Sequence, residues 1–303
     1  MNALTPIAAA ASSSPLQPEA LHRRLAHWNR RRLAVATPHE GWRDDLRDDL
    51  EMRLLEGEWV ERFRKEVQPQ AARVPTDPDG FIAWFEGLIE TGPGQNDPLF
   101  PWLAEEADLD RMRWFLLQEV AGEAGFEDLV AYTQVKMPTR PKLELARNYW
   151  DEMGRGNEGG MHGPMLGRLA EALDLKPTIE GTVWPALALG NTLVAFATSR
   201  RYAYHALGAL GAVELTAPWR SDHVARGLKR LGVGRERQYY ALHATLDVKH
   251  SESWNAEVLR PLVEAEPACA RFIAEGALMR LTCGARCFDA YRERLRDGAA
   301  RSA

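Results

Sequence analysis

Apolar residues recur along most of the chain at spacings of three and four, and the alternation typical of β-strands is nearly absent. The pattern therefore predicts an all-α protein. The predicted helices cover residues 19–34, 42–67, 81–91, 109–133, 142–152, 162–173, 183–214, 235–266 and 269–296. Two prolines mark expected helix ends, because Pro218 lies just past Glu214 and Pro267 lies between the last two predicted helices.

The segment from Val74 to Gly80 is the clearest linker, since two prolines and a glycine interrupt any helix there. We therefore divide the chain into residues 1–73 and residues 74–303. The first part is expected to hold a disordered tail and a helical extension of two polar, amphipathic helices that pack on the outside of the main domain. The second part is expected to form one helical bundle.

Residues 243–250 read His-Ala-Thr-Leu-Asp-Val-Lys-His. At 3.6 residues per turn, His243, Asp247 and His250 share one stripe of a helix, as ligands of a metal ion would. Imidazole nitrogens and a carboxylate without a thiolate suit iron or manganese. Taken alone, the octapeptide is equally compatible with charged residues on a solvated surface.

Two glutamates lie inside strongly apolar runs, Glu119 within residues 114–120 and Glu214 within residues 208–215. An ionised carboxylate is costly in such surroundings unless a cation pairs with it. Glu152 ends one predicted helix, and His162 begins the next after a glycine-rich break. An acid and a histidine therefore flank a bend in the chain.

The acids Glu119, Glu152, Glu214 and Asp247 carry four negative charges, which two divalent metal ions would balance inside an apolar bundle. Helical bundles build di-iron sites by projecting Glu and His side chains inward from facing helices. The ferritin-like version needs a Glu-x-x-His pair on each of two helices, and this sequence offers one such pair, in its polar N-terminal part. That version is therefore disfavoured.

The order of these residues resembles that of the heme oxygenase-like di-iron oxidases and oxygenases, also called iron-containing redox enzymes. In that family an acid on the first core helix is followed by an acid and a histidine around the second. A further acid then precedes a His-x-x-x-Asp-x-x-His helix. The stretch from Glu144 to Gly154, Glu-Leu-Ala-Arg-Asn-Tyr-Trp-Asp-Glu-Met-Gly, is also typical of these proteins. The resemblance covers roughly residues 75–295.

The resemblance implies a heme oxygenase-like helical bundle with an N-terminal helical extension, two bound iron ions and O₂ as a co-substrate. The implied metal ligands are Glu119, Glu152, His162, Glu214, His243, Asp247 and His250. Glu123, one turn from Glu119, is an alternative first ligand. Relatives N-oxygenate amine or guanidine groups, or cleave carbon–carbon bonds in amino acids or fatty acids. A small amine- or amino-acid-like substrate, oxidised in specialised biosynthesis, is therefore expected.

Three further residues are candidates for supporting roles. Asn148 lies one turn before Glu152 and is a candidate to orient a metal ligand. Arg200 or Arg201 could clamp a substrate carboxylate through a bidentate pair if that segment faces the cavity. The glycines of residues 154–159 match the G-x-G-x-x-G pattern of dinucleotide-binding loops, but a predicted helix, not a strand, precedes them. We interpret them as the bend between Glu152 and the next helix.

Composition agrees with a catalytic domain. The chain has 303 residues, 45% of them hydrophobic and 27% charged, enough for one large core. Its net charge of −5 argues against nucleic acid as a partner. The three cysteines imply no disulfide framework and fit a reducing cytoplasm, and no apolar run is long enough to span a membrane. We expect a small-molecule substrate, with a homodimer and an external electron donor as further possibilities.

Two other classes of function stay open on the sequence. One is a non-catalytic bundle that binds iron, and the other is a metal-free cofactor oxidase of the same fold. The complete set of ligand residues argues against the first, and the acids flanked by apolar residues argue against the second. Heme is disfavoured as well, because a single axial histidine would leave the buried acids without a partner.

Overall fold

The computed structural model describes residues 16–300, and its side chains are described up to residue 295. This part of the chain forms thirteen α-helices and contains no strand, which confirms the predicted all-α fold. The helices are α1 (Pro18–Leu33), α2 (Trp42–Ala71), α3 (Pro78–Thr91), α4 (Leu99–Glu105), α5 (Leu109–Gly122), α6 (Phe126–Thr133), α7 (Thr139–Glu152), α8 (His162–Ala172), α9 (Trp184–Thr198), α10 (Ala203–Arg230), α11 (Gln238–Ser253), α12 (Arg260–Ala265) and α13 (Cys269–Ala300). A π-helical segment, Trp254–Leu259, lies between α11 and α12. Across residues 16–300, no helix combines the length and the hydropathy that a membrane span requires.

Helices α1 and α2 pack on the bundle through apolar side chains. Trp28 of α1 and Val60 of α2 are buried in one core together with residues of α9 and α13. A buried polar contact joins the same elements, because Nδ2 of Asn29 in α1 donates a hydrogen bond to Oδ1 of Asn191 in α9. The tail predicted at the start of the chain falls in residues 1–15, outside the described residues. The two helices therefore share the core that supports the main domain.

Helices α10 and α13 lie in direct backbone contact. A Cβ atom on Gly208 of α10 would lie 1.8 Å from the carbonyl oxygen of Ile273, and one on Gly276 of α13 would lie 2.0 Å from that of His205. Glycine is therefore required at both positions for the helices to approach this closely. Glu214 follows Gly208 by less than two turns, so this contact determines where its carboxylate enters the interior.

The prediction of one helix that ends at Glu214 is wrong. Residues 183–214 belong to two helices, because α9 ends at Thr198 and α10 begins after a 3₁₀ turn and continues through Pro218 to Arg230. The proline lacks the N–H that would donate to the carbonyl oxygen of Glu214. The helix persists because α4, α11 and α13 all pack along it, and tertiary packing outweighs the lost hydrogen bond.

Two other predicted helices are interrupted, and one helix was not predicted. Residues 109–133 form α5 and α6, which are separated at Gly125, whose φ of 71° is left-handed. Residues 235–266 form a 3₁₀ turn, α11, the π-helical segment and α12, and the predicted break at Pro267 is confirmed. Helix α4 buries Leu99 and Phe100, but its seven residues are too few for a periodic pattern to reveal it.

Candidate metal centre

Two groups of potential ligand atoms meet inside the bundle and share one residue. Glu152, His162 and His243 each place a ligand atom within 4.8 Å of the others, and Glu152, Glu214 and His250 do the same. All are buried except His243, which is partly buried. Glu152 belongs to both groups, so its carboxylate lies where the two groups meet.

The junction between α7 and α8 brings Glu152 and His162 together. An antiparallel backbone bridge between Met153 and Met161 closes the intervening loop, so the residues just outside the bridge become neighbours. As a result, Nδ1 of His162 lies 2.5 Å from Oε2 of Glu152. The sequence predicts a bend between these two residues, and the bridge is the contact that forms it.

Glycine makes this junction possible. Gly154 has a φ of 60°, and a Cβ atom there would lie 2.4 Å from the carbonyl carbon of Gly160 across the loop. An L-amino acid with a side chain would therefore be strained and would also push the two sides of the loop apart. The element before the loop is a helix, α7, as the sequence predicts, rather than the strand of a dinucleotide-binding fold.

Helix α11 turns the octapeptide stripe toward the interior. Asp247 and His250 are 2% and 6% exposed, whereas Val248 and Lys249 between them are exposed. Oδ1 of Asp247 lies 3.9 Å from Nδ1 of His250. The alternative interpretation of this octapeptide, a solvated stripe of charges, does not describe its environment.

Hydrogen bonds leave one ring nitrogen of each α11 histidine facing the cluster. Nδ1–H of His243 donates to the carbonyl oxygen of Tyr239 over 2.7 Å, which leaves Nε2 for the cluster. Nε2–H of His250 donates to Oδ2 of Asp151 over 3.3 Å, while Nδ1 lies 3.4 Å from Oε2 of Glu214. Metal-binding histidines commonly have such an acceptor behind the ring, because it fixes the tautomer and the ring orientation.

Several buried atoms of the cluster lack a hydrogen-bond partner among the described residues. They are Nδ1 of His250, Oδ1 of Asp247 and Nδ1 of His162, which faces Oε2 of Glu152 at 2.5 Å without the geometry of a hydrogen bond. A buried polar atom without a partner costs about 1–3 kcal/mol, so three in one cluster indicate a missing ligand. The carboxylate oxygens and imidazole nitrogens, with no thiolate among them, are a donor set that suits iron. The residues present therefore fit bound iron.

Burial and mutual repulsion keep the carboxylates of the cluster from ionising together. Burial is the larger cause of the raised pKa of Glu152, and the charge of Glu214 adds to it. The pKa of Asp247 is raised well above its ordinary range by burial first, and then by Glu214 and Glu152. A cation among these groups would relieve this repulsion.

The histidines divide into two kinds. Burial, together with a neighbouring histidine, lowers the pKa of His162 and of His243 to about 4. Burial also opposes protonation of His250, but the carboxylate of Glu214, 3.4 Å from Nδ1, and the other charges around the ring outweigh that effect and raise its pKa to about 9. His162 and His243 are therefore neutral near pH 7, the form in which imidazole binds metals.

The structure does not bring Glu119 into either ligand group. Its Oε1 accepts a hydrogen bond of 3.0 Å from the hydroxyl of Tyr291, and the charges of Arg220 and Arg280 act on it. Burial raises the pKa of Glu119, and these three neighbours partly offset the rise. A ligand role for Glu119 stays a prediction from the family pattern.

Glu123, the alternative first acid, lies at the junction of α5 and α6. It accepts hydrogen bonds of 3.1 and 3.0 Å from the backbone N–H groups of Gly125 and Phe126. Although Glu123 is exposed, loss of hydration at its carboxylate in the cavity wall and the charge of Glu127 raise its pKa to about 7. Glu123 lines the same cavity as Glu119 and, within residues 16–295, neither acid joins a group that contains a histidine.

Of the three supporting residues predicted from the sequence, only Asn148 contacts a residue of the cluster. Nδ2 of Asn148 donates to Oε1 of Glu214 over 2.6 Å, directly behind the cluster. Arg200 donates to the carbonyl oxygen of Thr133 over 3.1 Å, and Arg201 pairs with Glu61 at 2.9 Å. The structure therefore does not bring Arg200 or Arg201 to the cluster.

A cavity of about 160 Å³ adjoins the cluster, and Glu152, His243 and Asp247 form part of its wall. Sequence reasoning missed two arginines that line it, Arg220 and Arg280. It also missed Asp151, which holds His250. Arg280 lies in an apolar run, the same signal that identified the buried acids, whereas Arg220 and Asp151 lie in mixed surroundings that give no signal.

Comparison with known proteins agrees with this arrangement. A model of the family described as iron-containing redox enzymes matches residues 113–285, a span that includes all the residues of both ligand groups. No individually curated protein is significantly similar to the chain. The family match covers more than half of the 303 residues. The chain therefore belongs to the family of iron-containing redox enzymes.

Proposed function

We propose that the protein is a non-heme di-iron oxidase or oxygenase that activates O₂ and oxidises a small amine- or amino-acid-like substrate. Membership of an iron-containing redox family supports oxidoreductase activity in general. The single observation that carries the di-iron proposal is Glu152, which belongs to both three-residue ligand groups. An external electron donor completes the proposal, since reduction of O₂ at iron needs electrons from elsewhere when the substrate does not supply them all.

The proposed ligands are Glu152, Glu214, Asp247 and the three histidines of the cluster. Iron bound there would supply the redox chemistry and the open coordination positions at which O₂ reacts. The protein's part is to hold the ligands in place before the metal binds. Asp151 fixes the ring of His250, and Asn148 fixes the carboxylate of Glu214. Such outer contacts keep both the tautomer and the direction of the ligand atoms.

The cavity beside the cluster is suited to an organic substrate. Phe100, Phe115, Leu166 and Phe288 are among its lining residues, and their apolar side chains can pack against the carbon atoms of a substrate. A volume of about 160 Å³ fits a small molecule, because a cavity of similar size can hold benzene. A bundle that merely stored iron would not need such a space, so this cavity disfavours the non-catalytic alternative.

The test is iron-dependent O₂ consumption. Full-length protein is loaded anaerobically with Fe(II), mixed with O₂, and followed with an oxygen electrode. We expect rapid O₂ uptake by the wild type and its loss in Glu152→Ala. Glu144→Ala is the matched control, because Glu144 is a buried acid on the same helix that pairs with Arg147 and belongs to neither ligand group. Iron uptake without O₂ consumption would leave an iron-binding protein and overturn the proposal.

A further inference from the structure

Two buried arginines line the cavity beside the cluster. Arg220 of α10 and Arg280 of α13 both line it, although they are only 8% and 7% exposed. Nη1 of Arg220 and both Nε and Nη1 of Arg280 are buried without a hydrogen-bond partner among the described residues. Nη2 of Arg220 donates to Oγ1 of Thr216 over 2.9 Å, which fixes the direction of that side chain. Two buried guanidinium groups therefore present unused donors to the same space.

The carboxylates that act on the two arginines already have other contacts. Glu119 is the carboxylate on which both arginines act, and its Oε1 already accepts a hydrogen bond from Tyr291. Arg220 also acts on Asp247, but that carboxylate belongs to the candidate metal cluster. Burying N–H donors of a guanidinium group without acceptors is unfavourable, and arginine keeps its proton even when buried. The donors that lack an acceptor could therefore bind one further anionic group.

The space around Arg280 is kept open by a glycine. A Cβ atom on Gly284, one turn further along α13, would lie 2.8 Å from Nη1 of Arg280. Gly284 lines the cavity as well, so the guanidinium occupies room that any side chain at this position would fill. The absence of a side chain at Gly284 therefore gives the Arg280 guanidinium a defined place in the cavity wall.

Three kinds of side chain line the cavity. Besides the arginines, Glu152, His243 and Asp247 of the candidate metal cluster form part of the wall. The lining also includes apolar side chains such as Phe115 and Val224. A small molecule held by a negatively charged group at the arginines would therefore share one cavity with the candidate metal centre. Guanidinium groups bind carboxylates through paired N–H donors, which fit their planar geometry.

We infer that Arg220 and Arg280 bind the carboxylate of the substrate, and that this substrate is a small organic carboxylate whose other end faces the metal cluster. The assignment of a substrate rests on the proposed function. The binding step itself does not, because the arginines can hold a carboxylate whether or not iron is present. Arg220 and Arg280 are thereby substrate-binding residues, a role that the sequence suggested for Arg200 or Arg201.

The first experiment measures binding by calorimetry, using straight-chain monocarboxylates from butanoate to decanoate and their primary amides. Full-length protein is used both free of metal and loaded anaerobically with Fe(II). We expect at least one carboxylate to bind the metal-free protein about ten-fold or more tightly than its amide, because only the carboxylate matches the unpaired charge. Equal affinity for acid and amide throughout the series, or no binding by any acid, would overturn the inference.

The second experiment uses Arg220→Gln and Arg280→Gln. Each should weaken binding of the preferred carboxylate by about ten-fold or more and leave binding of its amide nearly unchanged. Arg286→Gln is the matched control on α13, because Arg286 pairs with Glu66 and does not line the cavity. Wild-type affinity for the carboxylate in both cavity variants would contradict the assignment.

Thermal unfolding separates substrate binding from a structural role. Replacing either arginine removes buried N–H donors that have no acceptor, so the melting temperature of the metal-free protein should change little. If the arginines have only a structural role, the melting temperature of the variants should decrease clearly. The fraction of variant protein that still folds should then bind the carboxylate in preference to the amide, as the wild type does. Iron uptake is measured on the same variants. Retained carboxylate preference in both variants, with normal iron binding, contradicts this inference alone, whereas absence of iron binding in the wild type contradicts the proposed function alone.

Discussion

The side-chain amide of Asn148 on α7 donates a hydrogen bond of 2.6 Å to Oε1 of Glu214 on α10. Both residues are buried, with exposed fractions of 2% each. The bond leaves Oε2 of Glu214 facing Nδ1 of His250 at 3.4 Å. Asn148 therefore determines which oxygen of Glu214 is free for the candidate metal centre.

Replacing Asn148 by Ala should weaken iron binding by about 10- to 100-fold, the usual effect of losing a contact that orients a metal ligand. Anaerobic titration of Fe(II) gives the affinity. Asn255→Ala is the control, since Asn255 is also a buried asparagine that bonds a glutamate, Glu86, away from the cluster. Equal iron affinity in Asn148→Ala and Asn255→Ala would show that Asn148 does not orient a ligand.

A side chain at Gly154 should disturb the metal centre through the backbone alone. Gly154→Ala forces an L-residue into a φ of 60° and places a Cβ 2.4 Å from Gly160, so we expect a loss of roughly 1–3 kcal/mol in stability and weaker iron binding. Gly167→Ala in α8 meets no atom within 4 Å and should be neutral or slightly stabilising. Chemical denaturation and iron titration of both variants provide the comparison. A fully stable Gly154→Ala with wild-type iron affinity would contradict the role of the loop.

The two ligand groups predict different losses of iron. His243 belongs to one group and His250 to the other, so His243→Ala and His250→Ala should each reduce the bound iron by about one ion per chain. Glu152→Ala should remove both ions, because both groups include Glu152. Metal analysis after removal of unbound iron measures the three values. The same loss from Glu152→Ala as from His243→Ala would argue against a shared ligand.

Most residues of this cluster could be named from the family pattern and helical geometry, and their role as metal ligands stays a prediction. The spacing of His243, Asp247 and His250 places them on one stripe, and the structure turns that stripe inward. Glu152 and His162 could be paired from the sequence because one ends a helix and the other begins the next. In each case the information is local, so that a short stretch of sequence contains it.

The partners of the acids in apolar runs could not be predicted, because they depend on tertiary packing. An acid in an apolar run needs a partner, but the run does not say which partner. For Glu214 the neighbours are Asn148 and His250, whereas for Glu119 they are Tyr291 and two arginines. The arginines were missed because their meeting depends on how α10 and α13 pack.

Pro218 gave a misleading signal for the same reason. A proline ends most helices, but α10 continues past it because three neighbouring helices support the backbone there. The sequence shows that the proline removes a backbone hydrogen bond from the helix. It does not show the tertiary packing that compensates for this loss.

His22 should make stability depend on pH. It is fully buried between Trp59 and Trp184, and burial, aided by the charge of Arg286, lowers its pKa from 6.5 to about 4. Between these values the unfolded chain binds a proton that the folded protein does not, so stability falls as the pH drops from about 6.5 to 4. The loss from this residue alone is about 3 kcal/mol.

The variant His22→Asn tests this prediction, because the amide oxygen can replace Nδ1 as an acceptor for Asn191 but does not titrate. Urea unfolding at several pH values should show a smaller decrease toward pH 4 for the variant than for the wild type, whatever their difference at pH 7. Parallel curves for the two proteins would mean that His22 is not held neutral by the fold.

The most direct test of the central claim is an anaerobic titration of metal-free, full-length protein with Fe(II), with bound iron counted by elemental analysis. Two three-residue groups that share Glu152 predict saturation at two iron ions per chain. Saturation at a single ion, or no uptake of iron, would contradict the di-iron centre.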